Sequence, residues 1–119
     1  MTVFAILKII AAVGTVASGA IALVNPAGIS GFTGLEVAGK PRGLTEVRAV
    51  LGGFFIALGL APLLWRAQSG AMYLMLGFAY LVVAGVRTVS MMVDRSVMRS
   101  NVISLVVEIL FGVVLILPM

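Results

Sequence analysis

Residues 73–94 read YLMLGFAYLVVAGVRTVSMMVD, and between the two ends of this run the only charge is Arg87. About 20 apolar residues, each rising ~1.5 Å, cross the ~30 Å hydrocarbon core of a bilayer. The stretch therefore predicts a membrane-crossing helix from Ala71 to about Val93. Tyr73, Tyr80, Arg87 and Asp94 recur at seven-residue intervals, with Gly77 and Ala84 between them, so they share one helical face. Two phenols and a guanidinium are costly against lipid, and that face must turn toward other helices.

Three similar runs surround it. The first covers about 3–24 and is closed by Asn25-Pro26, because proline cannot continue the helical ladder. Lys8 and the small residues near Ala17–Ala20 give it the look of a signal peptide. The run from Ile9 to Val24 is long for one, so it reads as a retained span. The second covers about 46–65, with Thr45 as its N-cap, Pro62 in its last turn and Trp65-Arg66 as an interface anchor. The tight turn Gln68-Ser69-Gly70 leads into the third span, 71–93. The fourth covers 101–117, capped by Ser100 or Asn101. Residues 25–45 form the one long loop; its Ile29, Phe32 and Leu35 place it on the interface or folded back on the helices. The chain, 1–119, reads as a single all-α domain, an integral membrane antiparallel four-helix bundle.

Composition agrees. Of 119 residues, 62% are hydrophobic and 10% charged, and the mean hydropathy is +1.26. A soluble domain has roughly 45–50% apolar and about 25% charged residues. A water-soluble globule and a disordered chain are both excluded. The chain has no cysteine and no histidine. Disulfides, thiol chemistry, histidine-based triads and the usual zinc, haem or copper sites are therefore absent. No metal site and no cofactor is expected. A pI near 10.4 would suggest nucleic acid in a soluble protein. Here the basic residues stand singly at span ends without interleaved aromatics, so nucleic acid is rejected and the lipid bilayer is the expected partner. Lys40, Arg42, Arg48, Arg95 and Arg99 fall in or beside the loops 25–45 and 94–99, against Lys8 and Arg66 on the side of the termini. The positive-inside rule puts both loops in the cytoplasm and both termini outside.

Helices in lipid associate through close packing and polar contacts. Gly14 and Ser18 in the first span, Ala49, Gly53, Ala57 and Ala61 in the second, and Gly112 in the fourth are expected to be packing positions. They serve either this bundle, the simpler reading, or another subunit. In the fourth span Asn101, Ser104, Glu108 and Gly112 share a face. The third and fourth spans turn around residue 97, with Arg87 ten residues before that point and Glu108 eleven after it. Equal depth predicts a salt bridge between them. Arg48 and Asp94 are expected to extend it into an intramembrane charge network, with Glu46 a weaker member. Such a network is either a clamp that fixes helix register, the simpler reading, or a proton, ligand or substrate site. Lys8 is expected to snorkel to the interface, and the seven methionines to fill gaps.

The run Leu44–Gly59, LTEVRAVLGGFFIALG, resembles the second-span signature of a bacterial family known as domain of unknown function 4345. Gly85-Val86-Arg87, Asp94 and Glu108 resemble the rest of its pattern, from Asn25-Pro26 to the end of the chain. The family has a glycine after the loop aspartate where this chain has Arg95. The resemblance implies a small four-span protein of the bacterial inner membrane, similar in outline to DoxX-like four-helix proteins. It implies architecture and no activity. Enzyme motifs are absent: no phosphate loop is present, Ser90 and Ser104 lack a histidine base, and catalytic residues are expected to be none. The reading is a non-enzymatic accessory or structural subunit packing against other membrane protein subunits, in a respiratory or photosynthetic complex. The alternative is a small binding or transport module for a lipid, quinone or other apolar ligand, with Arg48, Arg87 and Glu108 at its polar end. An enzyme using Glu108 as acid or base is the remotest reading.

Overall fold

A computed structural model describes residues 2–35, 39 and 41–118. All regular structure among them is helical. Helix α1 (Val3–Val24) starts where the Thr2 hydroxyl accepts the Ala5 amide, a side-chain N-cap. It ends at Asn25, whose side-chain oxygen accepts the Gly28 amide at 3.1 Å and shapes one 3-10 turn, Pro26–Gly28. The short helix α2 (Ile29–Thr33) then folds back toward the last helix of the chain. Helix α3 (Pro41–Leu64), helix α4 (Ser69–Val93) and helix α5 (Arg99–Ile116) follow. Together with α1, they make four helices long and apolar enough to cross a membrane.

Two helix starts differ from the sequence reading. α3 begins at Pro41 instead of after Thr45, because proline is pre-set for the first helical position, where its missing N–H is not needed. The Thr45 hydroxyl donates back to the Pro41 carbonyl at 3.3 Å, inside the helix. α5 begins at Arg99, so Asn101 lies within its first turn and its side chain is free for other partners. Lys40, counted above among the loop charges, lies outside the described residues.

The turn between α4 and α5 accounts for Arg95. Ser96 donates its amide to the Met91 carbonyl at 3.0 Å, and Asp94 donates to Ser90 at 2.7 Å. This is a Schellman-type helix end, which needs a left-handed residue after the cap. Arg95 fills that position with φ +52°, where a glycine would be unstrained.

Two close helix pairs build the molecule. α1 and α3 meet backbone to backbone. A Cβ added to Gly19 would stand 2.6 Å from the Gly52 carbonyl oxygen, and one added to Gly59 would stand 2.5 Å from that of Ala12. α4 and α5 meet at Gly77 and Gly112, where a Cβ on Gly77 would be 2.9 Å from the Gly112 carbonyl oxygen. The pairs join along a small core of Ala11, Ala12, Tyr73, Leu76 and Leu115. The molecule measures 45 × 31 × 17 Å, so its thin dimension is under two helix diameters of ~10 Å. Few side chains can be enclosed in so thin a body.

The expected packing face of α3 therefore needs correction. Ala49, Gly53 and Ala57 are exposed on the outer side, and Ala61 is half-buried. The inner face runs through Gly52, Ile56, Gly59 and Leu63. A backbone contact this close requires the absence of a Cβ, which alanine at 49 or 57 cannot supply. In addition, Val47–Phe54 is wound as a π-helix, whose wider turns shift the face by comparison with α-helical counting. In α1, Gly14 faces the Phe111 ring, whereas Ser18 is exposed and returns its hydroxyl to the Gly14 carbonyl.

Candidate functional site

α4 places Arg87 two turns beyond Tyr80 on the same face, and α5 places Glu108 on the side that looks at α4. Because the two helices are antiparallel about the 94–98 turn, the side chains arrive at one level. Arg87 Nε donates to Glu108 Oε1 and Nη2 to Oε2, both at 2.8 Å. This is the bidentate fork that a planar guanidinium makes with a carboxylate. Nη1 donates to Asn101 Oδ1 at 2.9 Å, and Asn101 Nδ2 donates to the Ser96 carbonyl at 2.9 Å. One connected set thus ties α4, α5 and their turn together. Glu108 is 8% exposed, and both its oxygens have a partner.

The wider network expected from the sequence does not form. Arg48 sits on α3, in a stretch that packs against α1, and its Nε donates to the Leu23 carbonyl at 3.2 Å. The last four carbonyls of a helix lack helical partners, and a basic side chain there also meets the negative end of the helix dipole. Asp94 is exposed at the end of α4, and among the described residues it accepts no side-chain bond. Glu46 pairs with Arg42 at 3.3 Å in the i, i+4 geometry on the exposed surface, where such a pair contributes little.

Lys8 is also placed differently from expectation. It is 3% exposed. Its ammonium donates to the carbonyls of Val114 at 3.0 Å and Leu115 at 2.6 Å, and lies 5.9 Å from the Tyr73 ring centroid. It closes the C-terminal end of α5 as Arg48 closes that of α1. Snorkelling loses because two unpartnered carbonyls stand within reach of the side chain. The partners are over a hundred residues apart, which no local pattern exposes. A signal did exist for the face itself: Lys8, Thr15 and Ala22 recur every seven residues, and all three are buried. Thr15 donates to the Ala11 carbonyl or shares a hydroxyl contact with Tyr80 at 2.5 Å. Tyr80 in turn meets Phe111 edge-on at 5.6 Å.

Beside the Arg87–Glu108 pair lies an open groove of about 440 Å³ between α4 and the start of α5. Arg87, Ser90, Asp94, Ser96 and Asn101 line its polar end; Val82, Val83 and Val86 line its apolar end. Among the described residues no group of three or more acidic side chains is placed to hold a metal ion. Compared with family models, with curated proteins and with solved structures, the chain matches none.

Proposed function

We propose that the protein is a four-span integral membrane protein without catalytic activity, an accessory subunit that packs sideways against other membrane proteins. The observation that carries the membrane part is an inverted distribution. Large apolar side chains face outward on every long helix, with Met75 and Phe78 exposed by 72% and 64%, while Lys8 and Glu108 are buried at 3% and 8%. Water would disfavour both halves of that arrangement; lipid favours it. Absence of catalysis is inferred from the interior charges, each of which is engaged by another group of the same chain. The accessory role is supported by the outward Ala49, Gly53 and Ala57 face, a flat surface of the kind that lets membrane helices approach closely. The proposed setting is a bacterial inner membrane with the loops cytoplasmic. Membership of the domain of unknown function 4345 family is likewise a proposal, resting on the residues quoted above alone.

The chain has no native cysteine, which makes the test clean. Cysteines introduced by Gly53→Cys and, as a lipid-facing control, Val106→Cys are crosslinked in intact membranes. The accessory reading expects one discrete heteromeric product from position 53 and none from 106. Equal, diffuse products from both positions would remove it. A second reading is favoured by the groove: a small binding module for an apolar ligand, with Arg87 at the polar end.

A further inference from the structure

Resting on that second reading, we infer that the groove beside Arg87 holds a phospholipid whose headgroup carries a primary ammonium, of the phosphatidylethanolamine type. A guanidinium has five N–H groups, and Arg87 commits three of them to Glu108 and Asn101. One N–H on each Nη is left without a partner among the described residues. The side chain is 29% exposed, and it lines the groove. An N–H left bare in lipid is costly, and a phosphate oxygen is the strongest acceptor a bilayer offers.

Charge selects the headgroup. Within this site Arg87 is balanced by Glu108, and Asp94, whose carboxylate accepts no side-chain bond among the described residues, lies at the groove's outer end. An anionic headgroup would bring a further negative charge beside Asp94. A zwitterionic headgroup brings one charge of each sign. Its phosphate meets the free Arg87 donors and the Ser90 hydroxyl at the inner edge, and its ammonium meets the Asp94 carboxylate nearer the loop. The remaining wall fits the rest of the molecule. Val82, Val83 and Val86 are 48%, 44% and 62% exposed, and they continue the groove along α4 away from the loop, the direction an acyl chain takes into the bilayer. The order along the helix, apolar at 82–86, cationic at 87 and anionic at 94, complements a phosphatidylethanolamine read from its tail through its phosphate to its ammonium.

The test uses the full chain reconstituted in nanodiscs of mixed composition. Lipid retained after transfer to detergent is read by native mass spectrometry, with phosphatidylethanolamine, phosphatidylcholine and phosphatidylglycerol as equal components and inorganic phosphate as competitor. Retention of one phosphatidylethanolamine is expected. Asp94→Asn, at an exposed side chain that accepts no side-chain bond among the described residues, is expected to keep the melting temperature of the lipid-free protein and to lower that retention about tenfold, the effect of one charge-assisted hydrogen bond. Phosphatidylglycerol retained in preference, or Asp94→Asn retaining phosphatidylethanolamine undiminished, overturns the ammonium assignment while leaving a groove that binds lipid. Displacement by millimolar phosphate makes it a free-phosphate site and overturns the lipid assignment. A chain that retains nothing overturns both this inference and the binding-module reading beneath it.

Discussion

Glu108 and Arg87 are the residues on which the interior depends. Each alone would be a charge in a medium that solvates it poorly; together they satisfy one another through two parallel bonds. Glu108→Gln keeps the size of the side chain and removes its charge, leaving the guanidinium without its counter-ion. Loss of about 3 kcal/mol of stability is expected, the scale for breaking a buried pair from one side. Replacing both partners, Arg87→Met with Glu108→Leu, is expected to cost clearly less than the sum of the two single changes. Denaturant unfolding of the four proteins in one detergent measures the difference. A double variant as unstable as that sum would mean that the two side chains act independently. This pair was legible in the sequence, because a four-span reading fixes depth by counting residues from the turn. Arg48 and Asp94 were misjudged by the same counting. Depth says how far along the bundle a residue lies, and nothing about which side of a neighbouring helix it reaches. The carbonyl of Leu23 was nearer to Arg48 than any carboxylate.

At the scale of elements, glycine decides which helices touch. α1 and α3 approach through Gly19, Gly52 and Gly59 so closely that no side-chain carbon fits between the backbones. A four-residue repeat of small residues pointed to the neighbouring face of α3, since alanine and glycine look alike when only size is counted. The distinction becomes physical at carbonyl-to-backbone distances, where a methyl group is already too large. Gly59→Leu is therefore expected to separate α1 from α3 and to destabilise by at least about 2 kcal/mol, the scale of overpacking. Ala57→Leu, at an exposed position two residues earlier, is expected to stay within about 0.5 kcal/mol. Melting of both variants in the same detergent decides the matter; equal losses would place the contact on the wrong face. The π-wound stretch Val47–Phe54 was not legible at all. Nothing in the local sequence marks it, and it serves to bring Gly52 rather than Gly53 onto α1. The start of α3 was legible in part, since Pro41 carried the signal and Thr45 a weaker competing one.

For the whole molecule, the few charges explain the architecture better than the many apolar residues do. Hydrophobicity placed four helices and said nothing of their order. The order follows from the ties between elements: Lys8 on the end of α5, Thr15 with Tyr80 across α1 and α4, Arg87 with Glu108 across α4 and α5, and Arg48 on the end of α1. Each tie joins a polar group to one that would otherwise lack a partner, in a body only 17 Å thick with apolar side chains around its rim. The described loop-end residues Arg42, Arg48, Arg95 and Arg99 gather at one end, and the α3–α4 turn with Arg66 lies at the other. If the four long helices cross a bilayer as proposed, that bilayer separates those ends. The most direct test is labelling of single cysteines, made by Ala67→Cys, Gly39→Cys and Val97→Cys, with a membrane-impermeant maleimide on intact cells. Position 67 is expected to react from outside, and positions 39 and 97 only after the membrane is opened. Labelling of positions 67 and 97 from the same side of an intact membrane would contradict the four-span account.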